Sequence, residues 1–421
     1  MVLLNLSNQG LTELPSIPDN VTELWCGNNQ LTELPELPAG LIYLQCSDNK
    51  LTALPELPAG LKRLGCEKNQ LTTLPNLPAG MTTLWCDHNQ LTALPVLPAT
   101  LTKLSCIYNQ LTALPELPAR ITLLGCDHNQ LTALPELPTT VIHVLCNDNQ
   151  LTALPELVAG LTEFDCSYNQ LTALPKLSHT RLTNLECTGN QLTALPDLPD
   201  GLLKLDCVRN QLTALPDLPD SLDLLYCGYN QLTELPNLPA GLIRLYCSRN
   251  QLTALPDLPS VLTRLICGGN QLTTLPKLPA TLTDLSCNDN QLTALPDLPD
   301  GLLILSYANN PFPAALQAIL DEYEQDFAQL IISVNYYNAE QRRRKNIRQT
   351  GRTYRNLAFS GPYEYTNVLS HIGRIATGHK PTGNLRETLR NLKRNHNSYG
   401  PRKQRKTKKQ SRRARKNRKH N

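Results

Sequence analysis

One unit of twenty residues governs this sequence. From Asn29 to Asn169 the pattern N-Q-L-T-x-L-P-x-L-P-x-x-L-x-x-L-x-C-x-x recurs every 20 residues. Its fourteen cysteines run from Cys26 to Cys166 in steps of 20, then from Cys187 to Cys287 in the same steps. The single break is the step of 21 from Cys166 to Cys187, with the extra residue in Ser178-His179-Thr180-Arg181. A degenerate first unit (Leu4, Leu6) and last unit (Leu305, Tyr307, Asn310) bring the expected count to 16 coils. A fixed period this short predicts a solenoid, in which one coil cannot bury its own apolar face and is stable only against its neighbours.

Within each unit the apolar residues alternate, as in Leu24 and Cys26 or Leu44 and Cys46. Period two places them on one face of a short strand. Stacking the units in register yields a parallel sheet with strands about 4.8 Å apart. The Pro-x-Leu-Pro leg predicts an extended, polyproline-like return rather than a helix. Only 5% of residues are aromatic, consistent with thin repeated aliphatic layers. The invariant asparagines, Asn29, Asn49, Asn69 and their equivalents, read as a structural ladder, because an amide satisfies both kinds of inward backbone group.

L-x-x-L-x-C-x-x-N-x-L at a 20-residue period resembles the leucine-rich repeat superfamily. The L-P-x-L-P segment is similar to the short bacterial subclass, as in YopM and the repeat half of the IpaH-type ubiquitin ligases. The expected fold is thus an α/β-type solenoid, mainly parallel β, over residues 1–312. A helical C-terminal cap or module is expected over 313–395, and a disordered basic tail over 396–421. IpaH-type ligases carry a catalytic cysteine in a large helical domain after the repeats. Here the last cysteine is Cys287, inside the repeats, so the ligase domain does not carry over. No P-loop, G-x-G-x-x-G or H-E-x-x-H motif is present. Ser370-His371 lacks a placed acid, and Gly378-His379-Lys380 lacks P-loop spacing. The expectation is a non-enzyme with no cofactor.

The fourteen cysteines invite disulfide or metal readings. In-register strands hold the Cβ atoms near the ~4.8 Å strand spacing, beyond the usual disulfide distance. One thiol per coil also fails to converge on a metal. The cysteines therefore read as a column of small buried hydrophobes, and free thiols suit an intracellular compartment. No signal peptide is readable at Met1-Val2-Leu3-Leu4, and no apolar stretch spans a membrane.

Differences among the units point to the working surface. The position before Cys carries Trp25, Trp85, Tyr226 and Tyr246; two before it stands Arg244. The position before the ladder asparagine carries His88, Tyr108, His128, Tyr168, Arg209, Tyr229 and Arg249. Exposed Trp, Tyr, His and Arg on a concave solenoid face suggest a protein partner. Two patches stand out: Trp85-His88-Tyr108-His128, and Arg209-Tyr226-Tyr229-Arg244-Tyr246-Arg249. His88 and His128 each follow an Asp, but two coils apart they do not suggest a metal site.

Charge divides the chain. Residues from Pro311 onward hold 25 Lys+Arg and 7 Asp+Glu; the preceding part holds 14 and 29. Leu316, Ile319, Leu320, Tyr323, Phe327, Leu330, Ile331 and Val334 predict one amphipathic capping helix, ended by the charges of Arg342-Arg343-Arg344-Lys345. Weaker helices are expected around Val368-Ile372-Ile375 and Leu385-Leu389-Leu392. From His396 onward there are 12 Lys+Arg and no acid. Arg402, Lys403, Arg405, Lys406, Lys408, Lys409, Arg412, Arg413, Arg415 and Lys416 form the candidate anion-binding set. Nucleic acid, an import receptor, an acidic surface or the acidic repeats themselves are the candidate contacts. The tail also resembles the basic termini of some large-DNA-virus proteins. A second reading makes this tail the functional element of a nucleic-acid-associated protein, with the repeats as a spacer.

Overall fold

The computed structural model describes residues 2–323 and 326–358, with side chains described through 349. Sixteen three-residue strands, β1 (Leu3–Asn5) to β16 (Ile304–Ser306), form one parallel sheet in sequential order. The residue at the centre of each strand, leucine except for Val144 in β8 (His143–Leu145) and Phe164 in β9 (Glu163–Asp165), faces inward, and its two neighbours face out. The Leu-Pro return legs contain neither helix nor strand.

Register is copied from coil to coil. Leu24 pairs with Leu44, Leu205 with Leu225 and Leu285 with Leu305. The 21-residue unit does not disturb it: Leu185 still opposes Phe164. The extra residue is absorbed in the return-side turn, where the buried Thr180 hydroxyl donates to the Leu177 carbonyl at 2.7 Å. His179 Nε2 donates to the Leu157 carbonyl at 2.6 Å, tying the longer turn to the preceding coil.

Fourteen buried cysteines and the aliphatic columns Leu24/Leu44/Leu64 and Leu31/Leu51/Leu71 fill the interior. All the cysteines are free. Several donate weakly to the next coil, as Cys86 Sγ does to the Ser105 carbonyl at 3.3 Å. Burial pushes the Cys26, Cys247 and Cys287 thiols up to about 12. Such thiols are not nucleophiles at neutral pH, because the reactive species is the thiolate.

The asparagine ladder works as its chemistry requires. Asn129 Nδ2 donates to the carbonyls of Cys106 and Cys126 at 3.0 and 3.1 Å. Its Oδ1 accepts the Leu111 N–H at 3.0 Å. One side chain thus closes its own turn and clips it to the coil before. The same pattern holds from Asn29 to Asn310.

The expected single capping helix is instead two. Helix α1 (Ala314–Glu322) ends at Tyr323, and α2 (Phe327–Ala358) begins after Asp326. Asp326 Oδ1 accepts the Gln329 N–H at 3.0 Å, an N-cap that starts a new helix inside the apolar stripe. Leu316, Leu320, Leu330, Ile331 and Val334 are buried, while Ile319 and Phe327 are only half-buried. Tyr307 donates its hydroxyl to the Leu320 carbonyl at 3.2 Å, and Asn335 exchanges hydrogen bonds with the Leu298 backbone. Contrary to the expectation that it ends there, α2 runs on through Arg342-Arg343-Arg344-Lys345. Glu340 partners Arg344 at 3.2 Å, the i,i+4 spacing that lets a charged run stay helical.

The chain divides into two compact units, Met1–Asn335 and Tyr336–Asn421, so α1 and the first turns of α2 belong with the solenoid. The helices expected around Val368 and Leu385, and the basic tail, lie outside the described residues. Among the described residues no helix is long and apolar enough to cross a membrane.

Candidate functional site

The outward face of the sheet carries parallel columns of side chains, one residue per coil. The first column is the position before the ladder asparagine. Every described residue there has a left-handed backbone, from Asn8 at φ 60° to Asn309 at φ 57°. Turning the chain sharply enough to tuck the asparagine inward demands it. The N–H of this residue still pairs across the sheet, as His88 does to the Ile107 carbonyl at 2.7 Å. Eight of the sixteen coils meet the demand with Asn, Asp or Gly: Asn8, Asn28, Asp48, Asp148, Gly189, Gly269, Asp289 and Asn309. That bias was the readable sign of the geometry. The other eight hold Lys68, His88, Tyr108, His128, Tyr168, Arg209, Tyr229 and Arg249 at φ 51° to 55°. A left-handed conformation costs a residue with a Cβ roughly 1–2 kcal/mol.

These costly residues are sorted into self-complementary runs. Tyr108 stacks between His88 and His128, with ring centroids at 4.3 and 3.9 Å. His128 in turn approaches Asp148 at 3.4 Å, and Lys68 approaches Asp48 at 3.5 Å. The Arg209 and Arg249 guanidiniums lie 5.4 and 5.2 Å from the centre of the Tyr229 ring. Tyr168 lies over Gly189, where any Cβ would stand 2.7 Å from its ring. Each stack or cation–π contact returns about 0.5–1.5 kcal/mol, comparable to the strain.

The strand columns lie beside it. Tyr226 stacks on Tyr246 at 4.6 Å, and Trp25 meets Tyr43 edge-on at 6.2 Å. Trp85 stands in this column rather than in the His88-Tyr108-His128 stack, so the first sequence patch divides between two columns. The second patch divides likewise: Tyr226, Arg244 and Tyr246 on strands, Arg209, Tyr229 and Arg249 on the turns that follow. Sequence reasoning missed its anchor, Arg264, which donates to the Tyr246 hydroxyl at 3.0 Å and pairs with Asp284 at 3.1 Å. It also missed the Lys204–Glu186 ion pair at 2.6 Å. The His88 and His128 imidazoles are separated by the Tyr108 ring. Among the described residues no group of three or more His, Cys, Asp or Glu is placed to hold an ion.

A further column, one residue after the cysteine, gathers carboxylates on the middle coils. Asp87 accepts from the Ser105 hydroxyl at 2.6 Å and the Ile107 N–H at 2.7 Å. Asp127 accepts the Asn147 N–H at 2.8 Å. Burial, with neighbouring carboxylates adding to it, pushes the Glu67 and Asp127 carboxyls up to about 7. Gln45 Oε1 and Glu67 Oε2 are buried beside Gly65 without a hydrogen-bond partner.

Sixteen parallel strands, a buried asparagine ladder and a twenty-residue coil define a leucine-rich repeat solenoid. Comparison with solved structures agrees. The YopM effector of Yersinia pestis is 38% identical, with 73% of this chain and 88% of that one covered and a TM-score of 0.67. A leucine-rich repeat protein of Leptospira interrogans is 27% identical, covering 76% and 93%, at a TM-score of 0.61. The functional domain of InlJ from Listeria monocytogenes, which includes a cysteine ladder, is 28% identical over 66% and 64%, at a TM-score of 0.58. No family model matches the chain, and no curated protein matches it by sequence. The chain belongs to the leucine-rich repeat family, in the 20-residue subclass that includes YopM.

Proposed function

We propose that this chain is a non-catalytic scaffold that grips a protein partner on the outward, concave face of its sheet. The observation that supports this is the contrast between columns. Inward positions are nearly identical from coil to coil, whereas the outward columns carry stacked aromatic and cationic runs held in a costly backbone conformation. A face that only had to be wet would need no such residues; Asn or Gly would relieve the strain. The effector character of YopM and the free buried thiols support a place of action inside a cell, including a host cell.

In this reading 1–312 is the binding solenoid, 313–395 its C-terminal module and 396–421 an address. The tail directs the scaffold to nucleic acid, an import receptor or another acidic surface, on the strength of its 12 Lys+Arg and no acid. That same composition favours the alternative in which the tail is the functional element.

The test is capture from nuclease-treated lysate by the full chain, by residues 1–395, and by Tyr226→Ala/Tyr246→Ala. A defined protein retained by the first two and lost by the third is the expected result. Recovery that needs the tail and vanishes with nuclease would replace this reading with the nucleic-acid one.

A further inference from the structure

Resting on the scaffold reading, we propose that the surface around Arg209, Tyr229 and Arg249 takes an extended acidic peptide segment with carboxylates or phosphates at positions i and i+3. The three residues occupy the same place on successive coils, so the two guanidiniums are on the order of 10 Å apart, twice the strand spacing. A polyproline-type segment has three residues per turn and rises about 3.1 Å per residue. Its residues i and i+3 therefore face one way, about 9 Å apart, matching the two cations.

The cations are held and make no close ion pair, although Arg249 acts electrostatically on Asp289, two coils further along the same column. Lys204 and Arg264 nearby are consumed by Glu186 and Asp284. Among the described residues no carboxylate lies within 4.0 Å of Arg209, Arg249 or the exposed Arg244. Contact with Tyr229 restricts the two guanidiniums before any ligand arrives, and the left-handed backbone fixes the direction in which each leaves the coil. Restriction in the free protein lowers the entropy lost on binding. Tyr229, 46% exposed and sandwiched between them, presents its ring edge and hydroxyl to a ligand.

Charge decides the kind of partner. The chain's own C-terminal region is strongly basic and would be repelled by these arginines. A long polyanion such as single-stranded nucleic acid would have to continue past Asp206 and Asp223 on the same coils and Asp289 two coils beyond Arg249, in a part of the chain carrying 29 acids against 14 bases. A short acidic stretch of another protein meets the arginines without that penalty.

Selection of short random peptides from a display library on the full chain tests this. Peptides enriched in Asp or Glu at i and i+3 are expected, with binding weakened at least about tenfold by Arg209→Asn/Arg249→Asn and abolished in ~1 M salt, where screening shortens to about 3 Å. Asparagine stands at this position in Asn8, Asn28 and Asn309, so the variant removes charge without opposing the backbone. Selected peptides without acidic pairs, unchanged binding by the variant, or no enrichment would overturn the proposal. So would single-stranded oligonucleotides binding the full chain more tightly than peptides do, with the same loss in the variant. Running the lysate capture on this variant separates the two readings. A partner lost by Tyr226→Ala/Tyr246→Ala but kept by Arg209→Asn/Arg249→Asn sinks the acidic-peptide inference alone; a partner kept by both sinks the concave-face reading too.

Discussion

Tyr108 stacks on His128 with ring centroids 3.9 Å apart, though both stand in a left-handed backbone at φ 52° and 51°. The stack and the strain come from the same geometry: the turn that costs each residue also aligns its side chain over the next coil.

Substitution at Tyr108 should separate the two terms. Tyr108→Asn loses both imidazole contacts but relieves the backbone, so stability should stay within about 1 kcal/mol of wild type. Tyr108→Val loses the stack and adds a β-branched residue where φ is positive, and should cost about 2 kcal/mol or more. Urea unfolding followed by circular dichroism reads both. Equal midpoints for Asn and Val would show that the backbone strain is not felt.

The ladder asparagines should matter most in the middle. Asn129→Ala strands the buried Leu111 N–H and takes one of two ladder donors from the Cys106 and Cys126 carbonyls, which keep Asn109 and Asn149, and should cost about 2 kcal/mol. Asn310→Ala sits at the last coil, half-buried, where water reaches the freed groups. Its cost should be under half as large by the same melt.

Thiol chemistry offers an independent check on packing. With all fourteen cysteines buried and free, a disulfide-exchange reagent at pH 8 should label none in the folded solenoid and all fourteen in denaturant. Rapid labelling of several cysteines in the native protein would contradict the buried column.

Acidification should stabilise the solenoid. The Glu67 and Asp127 carboxyls are raised to about 7, above their unfolded values near 4, so the folded chain holds more protons than the unfolded one between those limits. Their contribution is fully present below about pH 4 and is lost as pH rises through 7. Asp48, Asp87 and Lys68 surround Glu67; Asp87, Asp148 and Asp165 surround Asp127. Melting temperature should therefore fall between pH 5 and pH 8. Glu67→Gln with Asp127→Asn should flatten that fall and raise the value at pH 8. A variant whose pH profile overlays the wild type would place the dependence elsewhere.

How much of this was legible beforehand differs by level. Sixteen coils, parallel strands, the inward leucine and cysteine columns and the ladder role of Asn29 through Asn310 all follow from a period that only one kind of stacking satisfies. The outward residues were legible as a set, since Tyr108 and Tyr229 differ from their equivalents in other coils. Their contacts were not. Residues twenty apart in sequence become neighbours only when the coils stack, so the Arg209-Tyr229-Arg249 sandwich, the Arg264 anchor on Tyr246 and the division of each patch into two columns were decided by tertiary structure. The break between α1 and α2 likewise depended on whether Asp326 turned its side chain to its own backbone, which an unbroken apolar stripe does not reveal. Periodicity fixes which residues share a face; only packing fixes which of them touch, because contact depends on side-chain direction across coils rather than on spacing along the chain.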